Sequence, residues 1–147
     1  MREIHTIVIH QTGTTQGTVE SIRRYHQQVL GWSDIGYHYL LLPDGSVHPG
    51  RPLAKAGAHV RGANAHSVGI CCLGAGDAFP VNRGYMTAAM WRSLVTQVRD
   101  LQHRFGIPAA GVMGHREFPS GRAQHKTCPG WDVSFLRRLL SNMKNQS

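Results

Sequence analysis

The sequence predicts an α/β fold: a central mixed β-sheet of about five strands flanked by about three helices, in one domain spanning residues 1–147. Three observations predict it. The chain opens with a β-branched, nearly continuous apolar run, Glu3–His10, of the kind that forms a central strand covered on both faces. A long segment, Ala88–Phe105, repeats Met90, Trp91, Leu94, Val98, Leu101 and Phe105 at helical spacing. Short apolar runs and Gly/Pro-rich loops alternate through the rest, giving the order β, α, β-hairpin, β, α, β, α.

In chain order, Gln11–Gly17 reads as a polar loop and Thr18–Leu30 as a helix. Ile22, Tyr25, His26, Val29 and Leu30 form its apolar stripe, with Gly31 as the stop. Gly36–Leu42 and Ser46–His48 make a hairpin about the turn Pro43-Asp44-Gly45. Alternation there puts Tyr37 and Tyr39 on one face and His38 on the other. Arg51–His66, rich in Gly, Ala and His without a period, reads as a long surface loop. Ser67–Leu73 is a strand, Gly74–Tyr85 a Gly/Pro loop, and Thr87 caps the long helix that Gly106 and Pro108 end. Gly111–Gly114 is a short strand. After the loop Gly114–Asp132, a last helix buries Val133, Leu136, Leu139, Leu140 and Met143.

Composition narrows the class. With 41% hydrophobic and 16% charged residues the chain is neither disordered nor fibrous. Sixteen Lys+Arg against 8 Asp+Glu give a net charge of +8, which favours an anionic partner. No basic arm or aromatic-basic platform is present, so no nucleic acid is expected. Three cysteines, two adjacent, do not make a disulfide framework. No signal peptide and no membrane-length apolar run are apparent, so the expectation is a monomer made in the cytoplasm without membrane insertion.

The loop GHREFPSGRAQHKTCPGWD, whose Gly, Pro and Ser argue against regular structure, carries His115, His125, Lys126 and Cys128. His10 ends the first strand. Imidazole and thiolate are ligands that Zn²⁺ prefers, and two or three of them on a late loop with one on an early strand imply that the fold closes over a metal. Three protein ligands would leave an open position for water, and either His115 or His125 can complete the set with His10 and Cys128.

Taken together, VIHQT (Val8–Thr12), GWSDIGYHYLLLPDGSVHPGR (Gly31–Arg51), GAH (Gly57–His59), NAHSVGI (Asn64–Ile70) and the GHRE…KTCPGWD loop resemble the zinc-dependent N-acetylmuramoyl-L-alanine amidases, which include small phage endolysins and peptidoglycan recognition proteins. The resemblance implies one Zn²⁺ per chain on His10, His115 and Cys128, with Tyr37 and Lys126 as catalytic residues. It implies peptidoglycan or its muropeptides as partner, and hydrolysis of the amide between the lactyl group of N-acetylmuramic acid and L-alanine in phage or prophage lysis, the enzyme reaching the wall after release or membrane permeabilisation. His48, His59 and Asn64 are candidate substrate contacts. A non-catalytic peptidoglycan-binding protein of the same fold is the alternative. One departure stands out: the segment SGRAQH lengthens the His115–Cys128 interval relative to the compact phage enzymes.

Overall fold

The computed structural model describes residues 2–12, 18–74, 86–123, 128–129 and 131–144. At its centre β1 (Thr6–Gln11), β2 (Tyr39–Leu41), β3 (Val47–Pro49), β4 (Ser67–Cys72) and β5 (Val112–Gly114) form one sheet in the order β3-β2-β4-β1-β5. β1 runs parallel to β4 and β5, and β2 runs parallel to β4. β3 is antiparallel to β2, so the sheet is mixed, as predicted. Ile7, Val8 and Ile9 of β1 are fully buried, which is why the run lacks polar alternation.

Among the described residues four α-helices accompany the sheet: α1 (Val19–Arg24), α2 (Ala88–Phe105), α3 (Pro119–Ala123) and α4 (Ser134–Lys144). Thr87 Oγ1 accepts the Met90 N–H at 3.0 Å to start α2, and Gly106 ends it at φ +66°, a left-handed conformation that glycine adopts without a Cβ clash. Met90, Leu94, Val98 and Leu101 of α2, with Leu136 and Leu140 of α4, bury one face of the sheet through Ile7, Ile9, Val68, Ile70 and Cys72. Each fully buried aliphatic side chain of this kind contributes about 1.5–3 kcal/mol. The other face packs Ile35, Leu40, Cys71 and Leu73 against Val19 and Ile22 of α1. Because strand side chains alternate, His10 turns to this second face, at the C-terminal end of β1.

Four expectations are corrected. The first helix is α-helical only to Arg24 and continues as a π-helical turn, Tyr25–Val29. The wider turn rotates the stripe, leaving Tyr25 52% and Val29 67% exposed while His26 is buried. Regular pairing of β2 begins at Tyr39, so the two-residue period does not reach Tyr37. Tyr39 packs on the α2/α4 core, whereas Tyr37 packs with the Ile35 cluster on the opposite side. Residues 51–66 are not simply a surface loop: Gly57, His59 and Val60 are buried. Finally, the late loop does contain a helix, α3, whose first residue is Pro119, a position where the missing N–H costs nothing.

The polar and Gly/Pro loops expected over 11–17 and 74–85 lie mostly outside the described residues. No helix among the described residues is long and apolar enough to cross a membrane.

Candidate metal centre

Strand register creates the site. Ile9 pairs with Gly114, so the next residue of each strand, His10 and His115, emerges side by side with ring centroids 4.9 Å apart. His115 opens a 3₁₀ turn, His115–Glu117, that Glu117 pins by accepting the Gly114 N–H at 2.9 Å. Glu117 also receives Arg137 at 2.7 Å. Burial alone would raise its pKa, but the Arg137 and Gly114 hydrogen bonds outweigh that and hold it low. Glu117 thus pairs with Arg137, while the neighbouring Arg116 sits 3.7 Å from Asp132.

Cys128 enters from the other side. Its carbonyl accepts the Arg116 N–H at 3.0 Å, tying it to the His115 turn. Its Sγ accepts the Gln11 N–H at 3.2 Å and lies 3.8 Å from His10 Nδ1. One ligand atom from each of His10, His115 and Cys128 falls within 4.8 Å of the others. Tetrahedral zinc, with bonds of about 2.0–2.1 Å to nitrogen and 2.3 Å to sulfur, separates such atoms by roughly 3.5 Å; the donor set fits the ion in chemistry, and the 3.8 Å between Cys128 Sγ and His10 Nδ1 is close to that spacing. Burial, then the neighbouring His59 and His115, pushes His10 well below its ordinary pKa and keeps it in the neutral form that ligates.

Behind His10 stands His59, its Nδ1 2.9 Å from His10 Nε2. Burial first, then His38 and His115, lowers the pKa of His59 to about 3. His38 falls to about 4, chiefly through burial, although its bond to the Lys55 carbonyl opposes the shift.

A cleft of about 450 Å³ opens beside the donor set, with Tyr37, His59, Asn64 and His115 in its wall. The Tyr37 ring is 5.2 Å from that of His10. Asn64 Oδ1 is already engaged, accepting the N–H groups of His59 and Val60 at 2.9 Å each. His48 is not in this wall: it sits on β3 at the far edge of the sheet, 3.0 Å from Ser46 Oγ. Lys126 and His125 lie outside the described residues.

The sequence reading missed other parts of the wall, namely His26, Trp32, Arg61 and Ser120. The π-helical turn that buries His26 has no periodic signature, but Arg61 could have been found from its place two residues after the GAH motif. Ser120, on α3, borders the cleft with a buried Oγ that has no hydrogen-bond partner among the described residues. A larger, mainly apolar groove of about 590 Å³, between α2 and α4, contains none of the candidate ligands.

Fold and donor set define an α/β protein with a candidate metal centre of two imidazoles and a thiol at the edge of a cleft. Residues 1–131 match the family model described as N-acetylmuramoyl-L-alanine amidase, and the chain belongs to that family. It is 31% identical over 135 residues to an endolysin of Klebsiella phage KP32, covering 90% of this chain and 84% of the relative. It is 34% identical over 127 residues to peptidoglycan-recognition protein SC2 of Drosophila melanogaster, covering 86% of this chain and 64% of that protein. Among solved structures, the N-acetylmuramoyl-L-alanine amidase LysC from Clostridium intestinale superposes with a TM-score of 0.80 at 28% identity, over 95% of this chain and 87% of that one.

Proposed function

We propose that the protein is a zinc-dependent amidase that cleaves the bond between the lactyl carbonyl of N-acetylmuramic acid and L-alanine in peptidoglycan, with residues 1–147 forming the catalytic domain of a phage or prophage lysis enzyme. The observation that carries this reading is the convergence of His10, His115 and Cys128 at a cleft that Tyr37 also borders. Family membership and the endolysin relatives supply the substrate class.

In this reading His10, His115 and Cys128 hold the ion. When bound, it supplies a water acidified to a pKa of roughly 7 and a Lewis acid for the scissile carbonyl. Tyr37 donates its phenolic hydroxyl to the oxyanion that develops on the lactyl carbonyl. Lys126, two positions before a ligand, gives a proton to the departing L-alanine amine. Trp32 and His26 wall the cleft beside Tyr37, their ring centroids 4.7 Å apart, and limit water around the reacting amide. Ser120 Oγ offers a polar contact to the muropeptide. The net charge of +8 draws the enzyme to anionic wall polymers.

The test is mass spectrometry of purified sacculi digested by the protein, with metal content measured on the same sample. Release of peptides bearing a free L-alanine amine, abolished by chelation and restored by zinc, is the expected result. Binding to sacculi without release would favour the non-catalytic alternative, and hydrolysis that survives complete zinc removal would rule out the mechanism.

A further inference from the structure

We infer that His59, held by Ser67, fixes the tautomer of His10 and keeps the His10 Nδ1 lone pair directed toward the metal position. The inference rests on the metal reading above, and the hydrogen-bond arithmetic carries it. A hydroxyl has one proton. Ser67 Oγ is 2.8 Å from the Ala63 carbonyl, which can only accept, so Ser67 donates there. The same oxygen lies 3.2 Å from His59 Nε2 and therefore accepts a proton from that nitrogen. A neutral imidazole carries one N–H, and among the described residues no carboxylate is a hydrogen-bond partner of His59 or His10. His59 Nδ1 is thus bare and accepts from His10 Nε2–H at 2.9 Å. His10 Nδ1 is left without a proton, 3.8 Å from Cys128 Sγ.

The relay is built into the sheet. Ser67 opens β4 and pairs with Thr6 of β1, four residues before His10. The His59 ring lies against Gly69, where a Cβ would come within 2.7 Å of its Cγ and Cδ2, and against Gly57, where one would come within 2.7 Å of Cδ2. Without an acceptor at Nε2, His10 would be free to carry its proton on Nδ1, and that nitrogen could not bind a cation until the proton left.

His59 is therefore a positioning residue, acting on the ion through His10. Long-range ¹H–¹⁵N correlation spectra of the zinc-free protein report the proton position, and competition with a chromogenic chelator reports zinc affinity. The wild type is expected to carry the His10 proton on Nε2. His59→Leu should lose that preference and bind zinc about 10- to 100-fold more weakly. His59→Asn, whose Oδ1 can replace Nδ1 as acceptor, should restore most of the affinity. Ser67→Ala moves both readouts in the same direction as His59→Leu and decides the matter if the latter fails to fold. A wild-type His10 protonated on Nδ1, or a folded His59→Leu protein with wild-type zinc affinity, overturns the inference. A wild type that binds no zinc refutes the metal reading instead, while the spectra still decide whether the relay exists.

Discussion

His10 Nδ1 and Cys128 Sγ lie 3.8 Å apart although 118 positions separate the two residues in the chain. Two structural links close that distance. The parallel pairing of β1 with β5 delivers His115 beside His10, and the Arg116 N–H to Cys128 carbonyl bond ties Cys128 to the turn that carries His115. Cys128→Ala leaves two imidazoles, which bind zinc far less tightly than two imidazoles and a thiolate. The purified variant is expected to contain little zinc and to lose sacculus-digesting activity by ~10³-fold, since a metal contributes several kcal/mol to the transition state. Metal analysis and turbidity loss of sacculi measure the two effects, and a variant with full activity excludes Cys128 as a ligand.

The buried histidines make the metal-free protein acid-sensitive. His38 and His59 titrate at about 4 and about 3 in the folded chain, against about 6.5 when unfolded. Around them stand Arg2 and Arg51, which oppose their protonation, and the Lys55 carbonyl, which favours that of His38. Between those values the unfolded chain binds more protons, so stability rises with pH. The contribution is complete above about pH 6.5 and is lost as pH falls toward 4 and then 3. Each pH unit of displacement is worth about 1.4 kcal/mol, so the total reaches several kcal/mol. Urea midpoints of chelator-treated protein should drop steeply between pH 6.5 and 4.5 and stay flat from 7 to 8 once other groups are allowed for. An unchanged midpoint through the acid range contradicts this account.

How legible the site was depended on which force set each part. The α2 stripe from Met90 to Leu101 and the Thr87 cap follow local rules and appeared where the sequence put them, and the first strand forms from the β-branched part of its run, Thr6–Gln11 rather than Glu3–His10. Ligand chemistry narrowed the cluster to His10, Cys128 and either His115 or His125, the resemblance chose His115, and the structure brings His10, His115 and Cys128 together. What stayed hidden arises from tertiary contacts. The π-turn at Tyr25–Val29 moves His26 into the cleft wall, and only the packed environment of Trp32 and Tyr37 distinguishes it from an α-helical stripe. His59 was expected to touch substrate, yet its two ring nitrogens are spent on His10 and Ser67, a fact no spacing reveals.

Tyr37 can be tested apart from metal binding. Its ring sits 5.2 Å from His10 and 5.6 Å from His26, and Tyr37→Phe keeps those ring contacts while removing the hydroxyl and its hydrogen bond to Cys71. If the hydroxyl serves the oxyanion, kcat falls by about 10²-fold or more with little change in zinc content or KM for a soluble muropeptide. Equal kcat in the variant leaves Tyr37 a structural role, through its ring contacts and its hydrogen bond to Cys71.

Attraction to the wall should be electrostatic at long range. With a net charge of +8, sacculus binding is expected to weaken several-fold between 50 and 300 mM salt, as the Debye length shrinks from roughly 14 to 6 Å. Co-sedimentation with sacculi at graded salt measures it, and salt-independent binding would place recognition in the cleft instead.

Gly69 tests the packing that supports the centre. It lies in the middle of β4, paired with Val8 of β1, and a Cβ there would come 2.7 Å from two His59 ring atoms and 2.9 Å from Nδ1. The ring cannot retreat freely, because Gly57 on its other contact leaves equally little room and Asn64 fixes the His59 backbone N–H. Gly69→Ala therefore forces His59 off its line to His10. Overpacking of this kind costs about 1–3 kcal/mol, which lowers the melting temperature by roughly 2–12 °C in a chain of this size. The stabilisation gained on adding zinc should shrink as well, since the shifted ring no longer holds the ligand imidazole. Thermal melts with and without zinc separate the two effects: a general loss of packing lowers both curves equally, whereas displacement of His59 narrows the gap between them.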